Sequence, residues 1–276
     1  MTAPVESFAE LRGGRFRLLS WGEGAETVLF LHGLTGMAEV WEPVVAHLPA
    51  GRRYVAMDQR GHGRSFAPAS GYSAAAMARD ARLAITWLGA PVHLVGHSMG
   101  ARVAILVAAR HPSLLKSAAV VDIGPEASKS NIEGTVRGIA GRPERFASRD
   151  EALAFAFRNR EPTPADARIF LARLSQAADG SLTWRSPASA LIEAVTRQRS
   201  RSYWRDWRSL ALPALFVHGG ASNEVPAAIA DRMRGENPLV VFERFEGIGH
   251  NIPLIAPGKL ADALERFWTT ASKSAT

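Results

Sequence analysis

The stretch Val92-His93-Leu94-Val95-Gly96-His97-Ser98-Met99-Gly100-Ala101 decides how the rest of the chain reads. Its apolar start predicts a buried strand, Gly-x-Ser-x-Gly follows, and residues 101–110 predict a helix. A strand–turn–helix junction this tight forces its central serine into a strained backbone conformation. Gly96 and Gly100 remove the Cβ atoms that would collide as strand and helix close on each other. Ser98 is thereby presented at the carboxyl end of a sheet and the positive end of a helix, a candidate nucleophile.

Outward from this junction, apolar runs alternate with helical stretches. Upstream, residues 15–21, 27–31 and 54–57 predict strands, and residues 38–48 and 74–88 predict helices. Downstream, residues 114–121 predict a strand that runs into Asp122-Ile123-Gly124-Pro125. Such alternation predicts an α/β fold with a mostly parallel central sheet flanked by helices. The pattern changes after Pro125. From Glu126 to Leu210 no good strand is expected, only helices over 131–139, 149–158, 164–178 and 188–199. The alternation then resumes with a strand at 213–217, a helix at 226–234, a strand at 239–242 and a closing helix at 254–270. Residues 271–276 read as a frayed tail. The expected organisation is a core of residues 1–125 and 211–276 with a helical cap, residues 126–210, inserted between its halves.

Composition narrows the classes. The chain has 276 residues, 47% of them hydrophobic, enough for a large buried core. No apolar run approaches membrane-spanning length, so no membrane partner is expected. Residues 1–14 contain Glu6 and Glu10 and no long apolar segment, unlike a signal peptide. Cysteine is absent, which excludes disulfides, thiolate metal sites and a cysteine nucleophile. A cytoplasmic location is the expectation. The net charge of +7 rests on 33 basic residues, of which only four are lysines, a skew that points to codon usage. Without a basic run interleaved with aromatics, nucleic acid is not an expected partner. The excess is uneven, with 15 Lys/Arg against 10 Asp/Glu between Glu126 and Leu210. No His or carboxylate pair shows ligand spacing, so neither metal nor cofactor is expected.

A serine hydroxyl needs a base, and the base an orienting acid. His250, in Gly247-Ile248-Gly249-His250, follows the last predicted strand at the carboxyl edge, where chemistry collects in open α/β sheets. His97 adjoins the nucleophile but projects differently, and is expected to pack nearby. His47, His93, His111 and His218 have no supporting context.

His32-Gly33, Asp58-Gln59-Arg60-Gly61-His62-Gly63, Gly96-His97-Ser98-Met99-Gly100 and Gly249-His250 together resemble the α/β-hydrolase family. The resemblance covers almost the whole chain. It implies that Ser98 attacks an acyl carbon, that His250 shuttles the proton, and that the Leu34 and Met99 amides form the oxyanion hole. His32 and Asp58 would brace their loops, and the cap would follow the sixth strand of that fold. The commonest family pattern places the acid three residues past the glycine in the loop Gly219-Gly220-Ala221-Ser222-Asn223-Glu224, where this chain has Ser222. Asp122, at the end of the sixth strand, and Glu224 remain. Asp122 is the preferred reading, with Ser222 as an added hydrogen-bond partner and Glu224 as the alternative.

A serine nucleophile argues against dehalogenase and epoxide hydrolase chemistry, which use aspartate on this fold. The expected function is a serine hydrolase cleaving a small acyl substrate, generically a carboxylic ester, through an acyl-serine intermediate. The alternatives are C–N (amide or enamide) hydrolysis of a small dicarboxylate, a cofactor-free haloperoxidase or perhydrolase, and a non-catalytic scaffold. Within the family the chain is similar to (E)-2-(acetamidomethylene)succinate hydrolase-like members, through Ala101-Arg102, Asp122-x-x-Pro125, Ser222 and Pro164-Ala165-Asp166-Ala167. That similarity implies an anionic small-molecule partner gripped by cap arginines, with Arg137, Arg158 and Arg160 as the nearest counterparts.

Overall fold

The computed structural model describes residues 3–273. Its main sheet is formed by β1 (Val5–Leu11), β2 (Gly14–Trp21), β3 (Glu26–Leu31), β4 (Arg52–Met57), β5 (Val92–His97), β6 (Leu115–Val121) and, after the cap segment, two further strands. Helices α1 (Glu42–Val45), α2 (Ala74–Trp87) and α3 (Met99–Arg110) lie between them. Residues 126–210 carry α4 (Lys129–Ala140), β7 (Arg145–Phe146), α5 (Arg149–Ala156), α6 (Pro164–Leu171), β8 (Leu174–Gln176), β9 (Leu182–Trp184), α7 (Ala188–Arg199) and α8 (Trp204–Arg208). The chain ends with β10 (Ala214–Gly219), α9 (Ala227–Glu236), β11 (Val241–Phe245), α10 (Ile252–Ile255) and α11 (Pro257–Lys273).

The eight strands run in the order β1-β2-β4-β3-β5-β6-β10-β11. Only the β1–β2 and β2–β4 pairs are antiparallel; the other pairs are parallel. The apolar runs of the central strands follow from helices on both faces. Leu29, Leu31, Leu94, Ala118, Val120 and Phe216 point into one core with α2 and α3. Their neighbours Val28, Phe30, Val95, Ala119, Val121 and Val217 point into the other, with Trp41, Leu264 and Trp268. Strand periodicity alone divides one continuous run between two cores.

The structure departs from the expected elements in several places. β1 is an added edge strand, joined to β2 through Gly13 and Gly14, both at positive φ. The expected helix over 38–48 is a 3₁₀ turn at Ala38–Trp41 followed by the short α1. The closing helix is split before Pro257, because proline at a helix start cannot continue a preceding turn. It runs to Lys273, so the frayed tail is not seen over 271–273, and residues 274–276 lie outside the described residues.

The largest correction concerns residues 126–210, which contain a three-stranded antiparallel sheet, β7-β9-β8, where no strand was expected. The predicted helix over 164–178 stops at Leu171, and the chain turns through Asp179-Gly180 with Gly180 at φ +85°. Strands of two or three residues are too short to display a period. They are held by side-chain packing of Phe146, Phe170, Leu174 and Leu182.

At the β5–α3 junction a Cβ on Gly96 would lie 2.3 Å from the Gly100 carbonyl oxygen. The oxygen belongs to the backbone and a Cβ is fixed by the backbone that bears it, so neither can swing aside. Gly96→Ala is therefore expected to destabilise the fold by about 1–3 kcal/mol. Urea denaturation of both proteins checks this, as a lower midpoint at similar slope.

Candidate active site

Ser98 sits at φ 54°, ψ −115°, and Asp122 at φ 49°. They are the only non-glycine residues at positive φ among those described. Each strained residue is held by the strand next door. The Ser98 amide donates to the Val121 carbonyl at 3.0 Å, and the Asp122 amide to the Val217 carbonyl at 2.9 Å. Neighbouring parallel strands thus supply the bonds that keep both side chains at the carboxyl edge.

His250 joins them. Its Nε2 lies 3.0 Å from Ser98 Oγ, and its Nδ1 lies 2.7 Å from Asp122 Oδ2. Asp122 is fully buried, yet its carboxylate is well satisfied. Oδ1 accepts the Gly219 amide at 2.8 Å, and Oδ2 accepts the Ser222 hydroxyl at 2.5 Å besides the imidazole. With Nδ1–H held by the carboxylate, His250 presents an unprotonated Nε2 to the serine hydroxyl. The arrangement can take the Ser98 proton as Oγ attacks an electrophile.

His97 does more than pack nearby. Its buried ring lies 4.9 Å from that of His250, and its Nε2–H donates to the His250 carbonyl at 2.9 Å. Burial, helped by the adjacent His250, pushes its pKa down to about 3, so it stays neutral across the working range. A neutral ring can tether the base loop without opposing the positive charge His250 acquires.

Leu34 and Met99 flank the serine. Met99 is the first residue of α3, and its amide belongs to the first helical turn, which lacks intrahelical acceptors. The Leu34 loop lies close because Gly33 has no side chain: a Cβ there would be 3.2 Å from Ser98 Cβ and 3.1 Å from His97 Nδ1. Buried His32 braces that loop, with Nδ1–H donating to the Gly33 carbonyl at 2.7 Å and Nε2 accepting the Gln59 amide at 3.0 Å. Burial holds the His32 pKa well below the usual imidazole range. Asp58 anchors the neighbouring loop, accepting the Ala38 amide at 2.7 Å and the Arg64 amide at 3.0 Å.

Two expectations are corrected here. Glu224 does not reach His250; it pairs with Arg199 of α7, 3.1 Å away. Its sequence offset carries it past His250 and up to α7. Arg137, Arg158 and Arg160 are all exposed and none lines the cavity beside Ser98. Arg160 is engaged by Asp166 at 2.7 Å, and Arg158 reaches back to the Phe155 carbonyl.

The cavity of about 180 Å³ beside Ser98 and His250 is lined instead by Arg173 and Arg199. Arg173 is half-buried, its Nε is buried without an acceptor, and no carboxylate pairs with the side chain among the described residues. Burial alone lowers its pKa to about 10, so it remains charged at neutral pH. Sequence reading missed it because it follows α6 in a turn and resembles every other arginine of that segment. Among the described residues, no group of three His, Asp or Glu is placed to hold a metal ion. No helix among them is long and apolar enough to cross a membrane.

Residues 26–257 match the model of the family described as the alpha/beta hydrolase fold. The chain belongs to that family. This α/β-hydrolase is 31% identical to the 2-(acetamidomethylene)succinate hydrolase of Mesorhizobium japonicum over 245 residues, 87% of each chain. It is 27% identical to a mouse sn-1-specific diacylglycerol lipase over 261 residues, 91% of this chain and 84% of the lipase. A crystal structure of E-2-(acetamidomethylene)succinate hydrolase superposes with a TM-score of 0.88 at 26% identity, over 96% of this chain and 99% of that one. Relatives of this fold include an esterase, a lipase and a 2-(acetamidomethylene)succinate hydrolase, and this chain is a hydrolase-family member among them.

The His97 tether gives a testable outcome. His97→Leu is expected to lower kcat for p-nitrophenyl acetate by up to about 10²-fold, with KM little changed, as the base loop loses its anchor. His97→Gln, whose amide N–H can reach the same carbonyl, is expected to recover most of that loss.

Proposed function

We propose that this protein hydrolyses a small, carboxylate-bearing acyl compound through an acyl-serine intermediate, with Ser98 as nucleophile, His250 as base and Asp122 as acid. His250 Nε2 takes the hydroxyl proton as Ser98 Oγ bonds to the acyl carbon. The resulting oxyanion turns toward the Leu34 and Met99 amides, donors already aimed before the charge develops. Collapse expels the leaving group, which receives the proton from His250. Water then repeats the sequence on the acyl-serine, releasing the acid and restoring the hydroxyl. Asp122 keeps the imidazole oriented and stabilises its positive form, with Ser222 and Gly219 holding the carboxylate in place.

The observation that carries the reading is the continuous line from Ser98 Oγ through His250 to Asp122, at 3.0 Å and 2.7 Å, opening on a cavity that contains Arg173. A half-buried guanidinium with no protein carboxylate beside it is a natural partner for a ligand carboxylate. The small cavity favours a compact substrate. A carboxylic ester is the generic bond; C–N cleavage of an acidic amide is a second reading, favoured by the likeness to the Mesorhizobium enzyme and by the same arginine.

Initial rates on p-nitrophenyl acetate test the assignment. Ser98→Ala is expected to abolish turnover and labelling by a fluorophosphonate, and Asp122→Asn to lower kcat by about 10⁴-fold, since an amide there favours the wrong imidazole tautomer. Full activity in a folded Asp122→Asn protein would remove Asp122 from the mechanism. Arg173→Met is expected to raise KM at least about tenfold for substrates carrying a carboxylate, while the neutral acetate is affected less.

A further inference from the structure

The cavity contains a second guanidinium, and it is already occupied. Arg199, 7% exposed, reaches from α7 to Glu224, with Nη1 3.1 Å from Oε2 and Nη2 3.3 Å from Oε1. Nη1 also meets the Asn131 amide oxygen and, at 3.3 Å, the Thr135 hydroxyl, both on α4. Arg199, Glu224 and Thr135 line the same cavity as Ser98, His250 and Arg173, so the ion pair faces the substrate space. Arg102, buried in α3, lies close enough to interact electrostatically with both members but does not line the cavity. Glu224 is therefore a protein carboxylate already paired with a guanidinium inside the cavity.

We propose that Glu224 is the charge filter of this pocket: by occupying Arg199 it leaves one guanidinium, Arg173, to receive a substrate carboxylate, and it repels a second. The substrate class is then acyl compounds carrying one carboxylate. This rests on the cavity beside Ser98 being the substrate site. A second carboxylate entering the cavity meets Glu224 in a poorly solvated space, where like charges repel strongly, and must also displace it from both Arg199 nitrogens. Arg173 offers the first carboxylate no such competitor. The Glu224 main chain is anchored as well, its amide donating to Ser222 Oγ at 3.2 Å, which fixes the point from which the carboxylate reaches Arg199.

Inhibition of p-nitrophenyl acetate hydrolysis by three acyl-chain analogues of similar length tests the filter: butyramide, butyrate and succinate, with no, one and two carboxylates. In the wild type, butyrate is expected to inhibit at least about tenfold more tightly than butyramide, and succinate no more tightly than butyrate. In Glu224→Gln the affinity for succinate relative to butyrate is expected to rise about tenfold or more. The double variant Glu224→Gln/Arg199→Met is expected to lose that gain, since the freed guanidinium is what takes the second carboxylate.

Succinate binding wild type tenfold better than butyrate would overturn the filter, as would a succinate-to-butyrate ratio that Glu224→Gln leaves unchanged. Equal inhibition by butyrate and butyramide would instead overturn the Arg173 reading; the filter is still judged from the ratio between Glu224→Gln and wild type. If Glu224→Gln turns over too slowly, calorimetric titration of the Ser98→Ala and Ser98→Ala/Glu224→Gln proteins with the same acids gives the same ratio without catalysis.

Discussion

Strand β5 and helix α3 meet with no space for a side chain between them. A Cβ on Gly100 would lie 2.3 Å from the Leu31 carbonyl oxygen, and one on Gly96 the same distance from the Gly100 carbonyl oxygen. The Gly100 amide uses the closeness to donate to the His32 carbonyl at 3.1 Å. This approach ties the nucleophile turn to the loop after β3, so one contact places Ser98, Met99 and Leu34 together. The positive φ of Ser98 is its local cost, offset by packing of α3 across β5 and β6. The sheet must be parallel here for the contact to form, since only then do three successive carboxyl ends face the same way.

Asp122 repeats the device one strand along. Its own positive φ aims the carboxylate beneath His250, while β10 supplies both the acceptor for its amide and the Gly219 donor to its side chain. A fully buried carboxylate is tolerable because each oxygen has donors in place before any chemistry begins. Charge is handled differently in the cavity. Glu224 and Arg199 satisfy each other, whereas Arg173 is left without a protein carboxylate. Charge is therefore balanced around Asp122 and Glu224 and left unbalanced at Arg173. The neutral histidines serve the same economy: His97 and His32 are both buried and held uncharged, so they brace loops without adding charge around the base.

The parts supplied by residues 126–210 act through reach. Arg173 follows α6, and Arg199 closes α7, which packs on α4 through Leu191, Val195 and Ile139. The small sheet β7-β9-β8 fixes the aromatic cluster of Phe146, Phe170 and Trp184 against which these segments are ordered. The Arg173 guanidinium lies 5.9 Å from the Phe170 ring, and the residue lines the cavity beside Ser98.

The sequence by itself determined the architecture and the candidate serine and histidine. Apolar runs of period two, glycines at Gly96 and Gly100 and the His250 loop each encode a backbone requirement that few other residues can meet, so local reading finds them. It also brought Asp122 forward as the preferred acid, with Glu224 as the alternative and Ser222 as a hydrogen-bond partner, but left the choice between the two carboxylates open to the tertiary structure. That choice is a matter of which side chain spans a gap between residues more than a hundred positions apart, and the register of β6 against β10 decides it: Asp122 falls under His250, and Glu224 is carried past it to Arg199. The short strands of residues 126–210 were invisible for a related reason, since two or three residues show no period and are made by packing alone. The arginines were least legible of all. Arg173 and Arg199 differ from Arg137, Arg158 and Arg160 in nothing local; burial distinguishes them, and burial is a property of the folded chain, created only when distant segments close over the same space.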